Sequence, residues 1–290
     1  IIDRAFKAVE FGEVSGRPRP PGMASALATR TRPRPPVQFK RDEDVPSVCV
    51  SRVKKDVADI ARDPPPGIYV APNENDVTRI DALVVGPSGT PYEGGFLWFH
   101  VVCPPEYPMQ PPRVTLMTTD AGRVQLHPNI YSSGHVTLSI LGTHDGPQWS
   151  SAQSLCSVLL SIQSLLSEDP YYNQTYVVKG ANRQDANNYK EYVRHEIFRV
   201  AVCDAVESCL QQRCPYPAEL RTTVLKQFLE FYDRYEESVR SCLHLDGTRI
   251  RDPISYVKGT YQHKALLARL EGLKAKVRKR SEPAVPYACK

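Results

Sequence analysis

Cysteine and histidine are the side chains best suited to nucleophilic or metal chemistry near neutral pH. The 290-residue chain has eight of the first and seven of the second. The cysteines, at 49, 103, 156, 203, 209, 214, 242 and 289, are scattered, and none belongs to a CxxC unit. This spacing argues against a zinc ribbon and against a secreted disulfide framework, so reduced thiols in the cytoplasm or nucleus are the expectation. His195, Cys203, Cys209 and Cys214 form one loose cluster whose spacing matches no standard zinc pattern. Helix packing is the better reading of it, and neither metal nor cofactor is expected.

A second group of residues is defined by order rather than by reactivity. Tyr107-Pro108-Met109-Gln110-Pro111-Pro112 precedes a strand-like run, and its prolines pre-set an extended turn that blocks further strand pairing. His127-Pro128-Asn129 follows, then Gly134-His135-Val136-Thr137-Leu138-Ser139-Ile140-Leu141, then Trp149-Ser150-Ser151-Ala152 at the opening of a helical pattern. With Gly86-Pro87 and Pro91-Tyr92-Glu93-Gly94-Gly95 upstream, the ordered set resembles the UBC core of ubiquitin-conjugating enzymes over 47–192. A finer likeness, to the Z-type branch, lies in Leu138-Ser139-Ile140-Leu141-Gly142-Thr143, Leu116-Met117-Thr118-Thr119, Ser161-Ile162-Gln163-Ser164-Leu165, Arg194-His195-Glu196 and Arg199-Val200-Ala201-Val202-Cys203-Asp204. It extends the resemblance to residue 273.

The resemblance implies a cysteine that accepts ubiquitin or a ubiquitin-like modifier as a thioester from an activating enzyme and passes it to a lysine or a ligase. In that family His127 and Pro128 shape the loop, and the side-chain amide of Asn129 steadies both the loop and the oxyanion. The first helix, with Arg52, Lys54 and Lys55, is implied to meet the activating enzyme. Ligases are implied to dock where that helix joins two loops, marked here by Met109 and by Ser151-Ala152.

The motif order puts the nucleophile at position 137, and the residue there is Thr137. A hydroxyl is a far weaker nucleophile than a thiolate at neutral pH, and exchange onto it gives a stable ester. Its β-branched methyl adds bulk beside the attack site. Cys156, 19 residues on, and Cys103, at the end of a strand-like run, do not occupy the nucleophile slot. His144 invites a Thr–His dyad, but its setting before Asp145-Gly146-Pro147 reads as a solvated turn. The branch also carries tryptophan where His144 stands and proline where Ser151 stands. The expectation is a non-catalytic or severely impaired member of the conjugation pathway. The alternative is an active conjugating enzyme, which requires another cysteine to serve or cysteine at codon 137 of the transcript. An interaction module of the RWD type shares the meander and the Tyr-Pro turn but lacks the active-site loop, so it ranks behind both.

The elements that must hold these residues follow from periodicity. Val50, Val53, Val57 and Ile60 recur at helical spacing until Asp63-Pro64-Pro65-Pro66 ends the pattern. Three β-rich runs, 79–85, 96–103 and 113–118, with a weaker one at 67–70, have gaps too short for crossover helices and so predict an antiparallel meander. Leu155, Val158, Leu159, Ile162, Leu165 and Leu166 mark a second helix with Ser150 or Ser151 as its cap. Further helices are predicted over 187–210, 217–243 and 261–280. The whole is an α+β UBC fold: N-terminal helix, four-stranded antiparallel meander and C-terminal helices, with an all-helical extension. Domains are expected at 1–46, a disordered Arg/Pro-rich tail, at 47–205, the UBC core, and at 206–290, the helical extension.

Composition bounds the rest. Apolar runs fall far short of the ~20 residues of a membrane span, and Ile1-Ile2-Asp3-Arg4 follows no signal pattern, so neither membrane nor secretion is expected. Met23 is a plausible initiator, which would leave 1–22 upstream of the native protein. A net charge of +5 without a concentrated basic-aromatic patch does not point to nucleic acid.

Overall fold

The computed structural model describes residues 46–174 and 182–281. The expected tail therefore lies outside the described residues up to position 45. Helix α1, Ser47–Arg62, turns Cys49, Val53, Asp56 and Ile60 inward. Strands β1 (Ile68–Pro72), β2 (Arg79–Val85), β3 (Phe96–Val102) and β4 (Arg113–Leu116) follow in the order β1-β2-β3-β4, every neighbour antiparallel. The predicted meander is thus present, with β1 shifted past the weak run at 67–70 and β4 shorter than predicted.

Alternation along the strands gives the sheet two covered faces. Ile80, Ala82, Val84, Leu97, Phe99 and Val101 are all buried and share one side. On the other, the register aligns Tyr69, Leu83 and Trp98 in a row across three strands. Tyr216 stacks on Trp98 with ring centres 4.5 Å apart, and Gln227 Nε2 donates to the Tyr69 hydroxyl at 2.9 Å. The C-terminal half of the chain therefore covers a sheet row that would otherwise expose two aromatic rings.

Helix α2, Leu155–Leu165, is capped by Ser154, not by Ser150 or Ser151. The Ser154 hydroxyl accepts from Ser157 N–H at 3.3 Å and Ser157 Oγ returns the contact to Ser154 N–H at 2.9 Å, a capping box. The sequence contained three candidate serines within five positions, and only the last one lies directly before the apolar stripe.

Beyond it a helical run begins at α3 (Arg183–Glu196), four residues earlier than predicted because Asn182 accepts from Asp185 N–H as a cap. The run passes through a π-helical stretch, Ile197–Asp204, in which every residue but Arg199 and Asp204 is buried, into α4, Ala205–Leu210. The expected division at 205 falls inside this run. Helices α5 (Ala218–Ser241) and α6 (His263–Ser281) complete the described chain, and all described residues belong to one compact unit. Tyr235 of α5 reaches the turn between β2 and β3, donating to the Gly94 carbonyl at 2.7 Å. A Cβ at Gly94 would meet the Tyr235 ring at 2.6 Å, so the glycine is what admits the tyrosine. No described helix is long and apolar enough to cross a membrane.

Candidate active-site loop

The stretch between β4 and α2 has little regular structure, so its shape depends on single side chains. His127 is fully buried. Its Nδ1 accepts the Asn129 N–H at 2.9 Å, which leaves the ring proton on Nε2 to donate to the Leu165 carbonyl, a carbonyl that also accepts from Asn173 Nδ2 at 3.3 Å. Burial pushes its pKa down to about 3, only partly opposed by the Leu165 carbonyl, so the imidazole is a neutral strut at physiological pH. Pro128 is buried beside it, and Gln125 Nε2 donates to the His127 carbonyl at 3.2 Å.

A short hairpin carries the chain from this strut to position 137. Tyr131 N–H donates to the His135 carbonyl at 2.9 Å and Gly134 N–H to the Tyr131 carbonyl at 2.8 Å. The Gly134 carbonyl accepts from Leu116 N–H at 2.8 Å, fixing the hairpin to β4. Gly134 has φ of 84°, and a Cβ there would meet the Leu116 carbonyl oxygen at 2.4 Å.

Thr137 and Asn129 are then brought face to face. Thr137 N–H donates to the Asn129 carbonyl at 2.8 Å, its hydroxyl donates to the same carbonyl at 3.1 Å, and Asn129 Nδ2 donates to the hydroxyl at 3.3 Å. The half-buried threonine thus spends its proton on a carbonyl, which is not a base, and its lone pair on an amide. The exposed His144 lies in the following turn and takes no part. Downstream, the Thr143 hydroxyl accepts from Leu138 N–H and donates to the Val136 carbonyl, each at 2.9 Å, closing the loop behind Thr137. Gly142, left-handed at φ 67°, ends the single 3-10 turn Ser139–Leu141.

The two cysteines weighed as substitutes lie in other settings. Cys103 is 3% exposed and burial pushes its thiol well up. Cys156 is half-buried on α2, its thiol also raised, first by burial and then by Asp63 and Asp56. His195 points at neither Cys203 nor Cys209: its Nδ1 meets Glu196 Oε1 at 2.8 Å and its Nε2 accepts Gln262 N–H at 3.2 Å. Among the described residues no three His, Cys, Asp or Glu side chains are arranged to hold a metal.

At the implied partner surface, Lys54 and Lys55 are exposed, Met109 is 75% exposed, and Ser151 and Ala152 are exposed. Arg52 differs from the lysines. Its Nε meets Asp56 Oδ1 at 2.8 Å, Nη1 donates to the Ser151 carbonyl at 2.8 Å, and Nη2 donates to the Gln153 carbonyl. Asp56, absent from the sequence reading, is the buried centre of this group: its Oδ2 accepts the Tyr107 hydroxyl and, at 3.1 Å, Leu155 N–H at the start of α2. An acidic residue on the apolar stripe of α1, between Val53 and Ile60, was the signal that could have revealed it.

Helix, four-stranded meander and a His-Pro-Asn loop closing on one residue define a ubiquitin-conjugating scaffold. The family model for "Ubiquitin-conjugating enzyme" matches residues 52–197, and the chain belongs to that family. Its likeness reaches further: the chain is 46% identical over 239 residues to "Ubiquitin-conjugating enzyme E2 Z" of Xenopus tropicalis, covering 82% of this chain and 75% of that one. The E2 Z proteins of Homo sapiens (48% over 232 residues, 80% and 64% covered) and Danio rerio (43% over 270 residues, 93% and 81% covered) agree. Within the family its type is Z, and it spans between 64% and 81% of these relatives' lengths.

Proposed function

We propose that this chain is a conjugating-enzyme scaffold kept for binding: a non-catalytic, or severely impaired, Z-type member of the ubiquitin pathway. Its partners on this reading are ubiquitin or a ubiquitin-like modifier, an activating enzyme and ligases, met in the cytoplasm and nucleus. The observation that carries the reading is the closed pair between Thr137 and Asn129, in which the hydroxyl at the proposed nucleophile position has no base among its hydrogen-bond partners in the described residues. Loading such a hydroxyl from a thioester is slow, and the resulting ester resists aminolysis. The exposed lysines of α1 and the intact loop geometry support retained binding, since neither depends on sulfur.

The test is a charging assay with activating enzyme, modifier and ATP, on the unmodified chain and on Thr137→Cys. The expected result is a reductant-sensitive adduct on the cysteine variant alone. An unmodified chain that forms an adduct and discharges it to lysine overturns the proposal. Charging of neither chain would move the defect from position 137 to the surface that meets the activating enzyme.

A further inference from the structure

Three hydrogen bonds that the charging chemistry does not use converge on Arg52, two to the loop before α2 and one to Asp56 on its own helix. The loop before α2, 149–153, has no regular secondary structure of its own. It is held from α1 by the Arg52 guanidinium through the carbonyls of Ser151 and Gln153. Asp56 fixes the guanidinium at Nε, and through its second oxygen also holds Tyr107 and the first amide of α2. Trp149 Nε1 donates to the Pro108 carbonyl at 2.8 Å, so the same loop is pinned to the turn that presents Met109. One buried carboxylate and one arginine, 21% exposed, thereby set the spacing between Met109 and Ser151-Ala152.

We infer that Arg52, braced by Asp56, is the positioning residue of the ligase-docking end. This rests on the reading that ligases dock where α1 meets these two loops. The planar fork is what the geometry uses, since one guanidinium addresses a carboxylate and two diverging carbonyls at once, which an ammonium does not reproduce. The acceptors are backbone carbonyls, so the arrangement is indifferent to the side chain at 151 and supplies by hydrogen bonding the rigidity that a serine there does not.

The experiment compares the full chain with Arg52→Lys, which keeps the charge and loses the fork, and with Met109→Ala. Amide hydrogen exchange is followed by mass spectrometry, and binding to an isolated RING-type ligase domain by calorimetry. In Arg52→Lys, exchange over 149–155 is expected to rise roughly tenfold while the α5 and α6 amides stay as they were, and affinity for the ligase domain is expected to fall about tenfold. Unchanged exchange over 149–155 overturns the inference, as does full ligase affinity in Arg52→Lys when Met109→Ala has lost it. If the unmodified chain binds no ligase domain, the docking reading fails, and the positioning role is decided by exchange alone.

Discussion

On the proposed reading, an oxygen at the nucleophile position changes both halves of acyl transfer in the same direction, because a hydroxyl is poorly ionised when it attacks and poorly displaced afterwards. The loop around it is nevertheless built for accuracy. Gly134 shows how narrow the tolerance is: Gly134→Ala places a methyl against the Leu116 carbonyl and demands a left-handed alanine, and it should cost about 1–3 kcal/mol in urea unfolding. A loss below about half a kcal/mol would mean that the hairpin bends freely and does not fix Thr137. At this scale the sequence was readable where a motif carried fixed spacing, as with His127-Pro128-Asn129 and position 137. It was silent where a residue acts by reaching across the fold. Asp56 lies 99 residues from Leu155, whose amide it holds, and Asn173 lies 46 from His127, beside which it packs, and no local pattern ties them together.

Elements were legible to the extent that periodicity and punctuation agreed. The Asp63-Pro64 stop, the β2 and β3 runs and the helices over α5 and α6 follow from apolar spacing and its punctuation. The cap of α2 did not, because hydroxyls at 150, 151 and 154 all precede the apolar stripe, and only adjacency to Leu155 sets Ser154 apart as the one that faces the first free amides. Ser154→Ala should therefore destabilise the chain by about 1 kcal/mol in chemical denaturation, while Ser150→Ala should have a far smaller effect. Equal losses would return the choice of cap to the earlier serines. The π-helical stretch was equally hidden, since Ile197–Asp204 is short and continues the helix before it without a break in the sequence to mark the change of winding.

Over the whole molecule, the C-terminal helices and the sheet share one interior, and that interior contains histidines held neutral. His127 is pushed by burial to about 3, and His263, at the start of α6, to about 4 by burial and then by His195, whose ring centre lies 5.2 Å away. Both His263 ring nitrogens are buried without a hydrogen-bond partner among the described residues. A histidine whose folded pKa is depressed contributes stability above its unfolded pKa, near 6.5, and loses it as pH falls towards the folded value. Each should therefore remove about 2 kcal/mol between pH 7 and pH 5, before most carboxylates titrate. Urea unfolding at the two pH values measures the sum. His263→Leu should be tolerated at pH 7, because it removes unpartnered polar atoms, and should flatten the acid slope by roughly half. A slope that His263→Leu leaves unchanged would mean that α6 already admits the proton in the folded state, and that its N-terminal end is less firmly closed over α3 than the T-shaped His195–His263 contact implies.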